Sequence, residues 1–318
     1  MRLRVFLRIA FSAALLGVLT NTAVAAELAF VVDSRDAAIS VVDMKSRQEI
    51  RRIPLLREPH HLVLSPDHNS LIVGDTVGNA LFFLNPSTGA LQKRLAVGDP
   101  YQLQFSPDGR FLTVAGLARN QIDIYDGSSM ALLRRVKAPT MPSHIAYTPD
   151  SSIVFVSLQG TDGVVALSTA TGNRIWRAKV GPTPAGVLYD HGKLLIGIMG
   201  ADYVDVLDPA DGHEIKRVTT DAGAHNLFFS PDGTRIWVCN RVAGSLSVLD
   251  AKTLTVLRSY KLPGGPDDLD FSPDGMVWVV RRFAQSVAVL DPKSGSVQII
   301  PVGHSPHGIW LNTHPHNG

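Results

Sequence analysis

The sequence contains one cysteine, Cys239, in 318 residues, so no disulfide can form within the chain. It sits in the apolar run Ile236-Trp237-Val238-Cys239, which reads as a strand and makes a buried, inert thiol the expectation. Charged residues are sparse at 18%, and glutamate is almost missing, with only Glu27, Glu49, Glu58 and Glu214. A carboxylate-rich hydrolytic centre therefore has few candidates. There is no His-Glu-x-x-His, no Gly-x-Ser-x-Gly and no glycine-rich phosphate loop, which removes the signatures of zinc proteases, serine hydrolases and nucleotide binders. No 3.6-residue apolar stripe follows the N-terminal segment, which argues against a helical bundle. No later run approaches the roughly 20 apolar residues that cross a bilayer.

The one long apolar run is at the start. Met1 to Arg8 carry Arg2, Arg4 and Arg8, Ile9 to Leu19 are apolar, and Thr20 to Ala26 end in small residues with Ala23-Val24-Ala25 as a cleavage site. This is the pattern of a secretory signal peptide over residues 1–26, so the mature chain, 27–318, is expected to be periplasmic or secreted, without a membrane span. Removing three of the thirty cationic side chains leaves 27 against 28 acidic ones. No polybasic footprint for nucleic acid or an anionic membrane survives that balance.

What the chain does have is repetition. Pro66, Pro107, Pro149, Pro231 and Pro273 each open a Pro-Asp step, at gaps of 41, 42, 82 and 42 residues. Tyr189 to Lys193 fills the double gap with a degenerate copy. A second signal runs in phase: Asp43, Asn85, Asp126, Ser168, Asp208, Asp250 and Asp291 each end an apolar strand, 42, 41, 42, 40, 42 and 41 residues apart. Two phase-locked signals define seven units. Each unit reads as four short strands, and four-stranded sheets repeated about every 40 residues are propeller blades. In Ser-Pro-Asp-Gly the proline presets φ, the aspartate can bond nearby backbone and the glycine tolerates the last position, as a tight reversal requires.

The ends are out of phase. Leu28 to Asp33, Ile39 to Asp43 and Glu49 to Pro54 supply only second, third and fourth strands, and Ile309 to Leu311 near the C-terminus supply the missing first. The expected fold is an all-β, seven-bladed propeller of four-stranded antiparallel blades, closed by a C-terminal strand joining the N-terminal blade. Leu103 to Gly109, which spell Leu-x-Phe-Ser-Pro-Asp-Gly, and Ser247 to Asp250, which spell Ser-Val-Leu-Asp, make the chain resemble the YVTN-repeat, YncE-like seven-bladed propellers. It is also similar to the haem d1 propeller superfamily. The resemblance implies the fold across residues 27 to 314 and leaves function open, since such propellers include binding modules, cofactor carriers and enzymes. True d1 domains are eight-bladed and usually accompany a c-type haem domain; here there are seven units and no Cys-x-x-Cys-His.

In propellers the loops entering each first strand share one face with the loops between second and third strands, around the channel mouth. The Ser-Pro-Asp-Gly turns lie on the opposite face and are expected to be scaffold. The residues just before the first strands are His60-His61, Tyr101-Gln102, Ser143-His144, Ala185-Gly186, His225-Asn226, Asp267-Asp268 and His307-Gly308. Five of the chain's 11 histidines fall in these fourteen positions. The loops between second and third strands add Arg241, Arg281, Arg282, Arg35, Asp33 and Asp75 to the same sector, and Glu58 falls near it. Ala185, Gly186 and Gly200 leave the opposite blade bare, as if to make room for a ligand.

Three readings of this arc stand side by side. His60, His61, His225, Asp268 and His307 could bind a transition metal. The histidine and arginine rim could hold a small anionic ligand, carboxylated or phosphorylated, or the propionates of a haem-type tetrapyrrole, with His60, His61 or His225 as an axial ligand. A solvated rim, or a docking surface for a periplasmic protein, is the third. A binding module acting as a monomer is the leading expectation. The rival is a metal-assisted, lactonase-like hydrolase using Asp267, Asp268 and His307, or a redox relative of the d1 group. Two lesser features remain: Ala166 to Trp176 resembles, once only, the tryptophan-docking repeat of quinoprotein propellers, and His304, His307, His314 and His316 form a loose cluster near the end.

Overall fold

The computed structural model describes residues 27–313. The expected leader, 1–26, and the tail residues His314 and His316 lie outside the described residues. Those described form seven sheets, each of four antiparallel strands. The innermost strands are Pro306–Leu311 in blade one, Pro59–Leu64 in two, Gln102–Phe105 in three and Pro142–Tyr147 in four. Pro184–Asp190, Ala224–Phe229 and Pro266–Phe271 follow in five, six and seven. Among the described residues no helix is long and apolar enough to cross a membrane.

Ring closure follows the expectation. Ala29, Phe30 and Val31 pair with Leu311, Trp310 and Ile309, so the blade begun by the N-terminal strands is completed from the other end of the chain. The Leu28 N–H donates to Asn312 Oδ1 at 2.7 Å and the Asn312 N–H to the Leu28 carbonyl at 2.9 Å, extending the seam.

Strand alternation explains why these sequences are apolar on both faces. In blade one Phe30 and Val32 pack toward blade two, while Ala29 and Val31 pack toward blade seven. The same division recurs around the ring, and each blade interface, closure included, holds its own apolar cluster. Cys239 is fully buried between blades six and seven, where burial raises its thiol pKa, so it is the inert residue expected. Trp176 donates its indole N–H to the Pro209 carbonyl at 2.9 Å and packs on Phe155, which is local packing between blades four and five.

The Ser-Pro-Asp-Gly turns carry a bond that repeats. The Ser230 hydroxyl donates to Asp232 Oδ1 at 2.6 Å, and the Thr234 N–H reaches the same oxygen at 3.0 Å. Ser65 with Asp67, Ser106 with Asp108 and Thr148 with Asp150 repeat the hydroxyl contact. These donors favour the ionised carboxylate, and Asp232 is held down to about 2. The strongest sequence repeat is therefore a turn device.

Candidate functional site: a sealed histidine throat

Five of the seven inner strands begin with proline: Pro306, Pro59, Pro142, Pro184 and Pro266. Proline has no N–H for the ladder, so it fits the first position of a strand. The ladder then skips a register, between Pro59 and Leu62, Pro142 and Ile145, Pro184 and Val187, and Pro266 and Leu269. The skipped residues are His60-His61, Ser143-His144, Ala185-Gly186 and Asp267-Asp268. Bulged residues are released from ladder pairing and re-aimed, here toward the propeller axis. Blades one and six show the same irregularity at His307 and His225.

Re-aimed in this way, five histidines from four blades meet at the axis. His60 lies 4.5 Å from His307 between ring centroids, and His61 lies 4.6 Å from His307 and 5.4 Å from His144. His144 in turn is 5.2 Å from His225, and Tyr101 closes the group at 4.9 Å from His60. Most of these contacts are edge-on. None of the five imidazoles is more than 6% exposed. The expected rim is thus a plug of packed rings across the channel.

Asp267, 1% exposed, is the charge centre of the plug. Arg241 forms an ion pair with it, Arg282 Nη1 approaches Oδ2 at 3.3 Å, and His225 Nδ1 and His307 Nε2 lie 3.4 and 3.5 Å from its oxygens. Arg241 Nη2 also donates to His225 Nε2 at 2.6 Å, and His225 Nδ1 donates to the Asp267 carbonyl at 3.2 Å. Arginine has no acceptor to offer, so this bond requires a neutral His225 with its proton on Nδ1. His60 Nε2 donates to Glu58 Oε1 at 3.0 Å. His144 is set by two serines: its N–H donates to Ser157 Oγ at 3.0 Å and its Nδ1 lies 3.3 Å from Ser143 Oγ.

Burial decides protonation here. Desolvation, followed by the nearby positive charges, lowers His61, His225 and His307 well below the usual imidazole range and brings His144 to about 3. The Asp268 carboxyl goes the other way, pushed well up by burial and by Asp267, and stands 4.0 Å from His61. Tyr101 is raised by burial. At neutral pH His61, His144, His225, His307 and Tyr101 are uncharged, and the charged contacts are those of Arg241 and Arg282 with Asp267, with the Glu58 carboxylate at the edge beside His60. Ring nitrogens of His60 (Nδ1), His61 (Nε2), His144 (Nε2) and His307 (Nδ1) are buried without a hydrogen-bond partner. Each such group costs about 1–3 kcal/mol if nothing satisfies it.

Other expected residues have partners outside the plug. Arg281 donates to the Pro263 carbonyl at 2.7 Å and to Ser286 at 3.2 Å. Asp75 accepts the N–H groups of Leu56, Arg57, Glu58 and Gly78 and is a loop brace; Asp33 is buried with the Ser40 hydroxyl on it. The bare blade makes no ligand space, because a Cβ on Gly186 would stand 2.6 Å from the His225 carbonyl oxygen and one on Gly200 2.7 Å from that of Pro182. These glycines allow close chain approach. Among the described residues no three His, Cys, Asp or Glu side chains are arranged to hold a metal ion; of the expected set, His60, His61 and His307 pack ring against ring, His225 packs on His144 and Asp268 stands beside His61.

Gln102 and Asn226, both expected at the site, face the other side of the plug. They line a central cavity of about 480 Å³ to which all seven inner strands contribute. Sequence reasoning missed its walls, Gln104, Tyr147, Tyr189 and Trp310, because they occupy ordinary strand positions. It also missed Ser157, which lies on the second strand of blade four and reaches His144 only in the folded sheet. The one available signal was a serine, Ser143, inside the variable pair.

The fold and throat define a closed seven-bladed propeller whose channel is plugged by buried imidazoles around an arginine–aspartate centre. The chain belongs to the YNCE-like beta-propeller family, whose model it matches over residues 8–317. YncE of Salmonella typhimurium is 24% identical over 249 residues, 69% of this chain and 67% of that protein. Among solved structures, the periplasmic gluconolactonase PpgL of Pseudomonas aeruginosa is similar in fold, with a TM-score of 0.74 and 18% identity over 90% of this chain and 98% of that one. The dihydro-heme d1 dehydrogenase NirN has a TM-score of 0.66 and 15% identity over 92% of this chain and 76% of that one. At such identities the likeness speaks for the fold alone.

Proposed function

We propose that this protein is an exported, non-enzymatic binding module whose throat recognises a small anionic ligand. The leader pattern of residues 1–26 supports export. The observation that carries the ligand reading is the pair of guanidiniums, Arg241 and Arg282, converging on Asp267 beside buried ring nitrogens without partners. Neutral imidazoles can take the tautomer that donates, and guanidinium forks match carboxylate and phosphate. A small ligand is favoured over a protein partner because the histidines and Asp267 are almost wholly buried, beyond the reach of a docking surface.

A hydrolytic reading has one specific observation in its favour: the Asp268 carboxyl, pushed up by burial, stands beside the neutral His61 as an acid and base pair. It shares the fold with a periplasmic gluconolactonase.

The test is a thermal-shift and calorimetric panel of acetate, citrate, gluconate and phosphate on the mature protein and on Arg282→Gln, with gluconolactone turnover and an absorption spectrum measured alongside. At least one anion is expected to raise the melting temperature, and Arg282→Gln to weaken it tenfold or more, about 1.4 kcal/mol. Binding unchanged in the variant, or no anion bound, would sink the anion reading. Turnover lost in Asp268→Asn would favour hydrolysis, and a Soret band a haem.

A further inference from the structure

The central cavity lacks the guanidiniums that mark the throat above it. Its deep end is formed by His61, Gln102, Asn226 and Asp268, and it runs down the inner strands to Pro107, in the turn after the first strand of blade three. Exposure marks the direction in which it opens. In the inner strands of blades two, six and seven the last two residues are half-buried, whereas the first two are buried. The channel is therefore sealed on the histidine side and accessible from the Ser-Pro-Asp-Gly face, the face the sequence marks as scaffold.

The lining contains no lysine and no arginine. Its ionisable groups are His61, Asp268, Tyr147 and Tyr189. Burial lowers His61 and raises Tyr147, and Asp268, the one carboxyl in the lining, is pushed up by burial and by Asp267. No ammonium or guanidinium is available to hold an anion. What the cavity offers is the amides of Gln102, Gln104 and Asn226, each of which both donates and accepts, and the rings of Tyr147, Tyr189 and Trp310. Two buried polar atoms at its deep end, His61 Nε2 and Gln102 Oε1, have no hydrogen-bond partner. An alcohol hydroxyl also donates and accepts, and the C–H face of a saturated ring lies well on an aromatic one. The volume, about 480 Å³, falls in the range of small-molecule sites.

We propose that this cavity is a second binding site, entered from the Ser-Pro-Asp-Gly face, for an uncharged polyhydroxylated ring of monosaccharide to disaccharide size. It stands independently of the anion reading, because Arg241 and Arg282 are not among the residues lining it.

The test is calorimetric titration of the mature protein with D-glucose, D-galactose, maltose and myo-inositol, with glucuronate and glucosamine as charged controls. At least one neutral ring is expected to bind once per chain, with the charged controls tenfold weaker or worse. Gln104→Leu removes one amide from a half-buried wall position and is expected to weaken the neutral ring at least tenfold. Gln104→Arg supplies the missing cation and is expected to bring in glucuronate. Arg282→Gln, which tests the throat, is expected to leave the neutral ring's affinity unchanged, so the two sites fail separately. The proposal is overturned if no neutral ring binds at about 10 mM, where a Kd near 1 mM gives almost full occupancy. Equal binding of neutral and charged rings, or an unaltered affinity in Gln104→Leu, would overturn it as well.

Discussion

Acidification loads the throat in a way that can be worked out for one residue. His144 is 1% exposed, its ring lies against His61 and His225, its Nδ1 faces Ser143, and Arg241 has the largest effect of the charged neighbours that disfavour its protonation. Its pKa falls from 6.5 to about 3, chiefly because burial penalises the charged ring. In the unfolded chain the imidazole takes up its proton as the pH drops through 6.5, while the folded one stays neutral until about 3. Between those values the unfolded state binds more protons, so stability falls with falling pH. By pH 4 the loss from His144 alone is on the order of 3 kcal/mol. Asp268 acts in the opposite sense, since its raised pKa lets the folded state hold a proton that the unfolded state releases. His61, His225 and His307 add to the loss. Comparison with His144→Gln cancels these shared contributions. Denaturant midpoints measured from pH 7 to pH 4 should show the native protein losing about 3 kcal/mol more than the variant. Parallel pH profiles would refute the assignment of a buried, neutral His144.

Two further outcomes test the frame that holds the site. Ending the chain before Pro306 removes the strand that pairs with Ala29 to Val31, exposing an edge and two apolar interfaces; the truncated protein should lose cooperative unfolding or aggregate, and an unchanged melting temperature would disprove the closure. Gly186→Ala places a methyl 2.6 Å from the His225 carbonyl oxygen and 2.8 Å from the Asn226 Cα, which are backbone atoms that cannot swing aside. It should cost about 1–3 kcal/mol, read as a lowered denaturant midpoint.

The sequence by itself determined the architecture. Seven phase-locked units and the out-of-phase ends follow from local chemistry: turn residues and strand alternation are set by neighbours in the chain. It also singled out His60, His61, His144, His225, Asp267 and His307, because the repeat leaves the pair before each first strand free to vary. The character of the site was decided only in three dimensions. Whether a polar residue on a bulge faces water or another bulge depends on residues tens to hundreds of positions away, and here the ring brings His60 against His307 and Asp267 against Arg241. That convergence buries the rings, lowers the pKa of His61, His144, His225 and His307, and turns an expected rim into a plug. It likewise moved Arg281 out of the site and gave Gly186 a packing role. The cavity beneath had no signal in the sequence, since Gln104, Tyr189 and Trp310 become a wall only when seven separate strands are set around one axis.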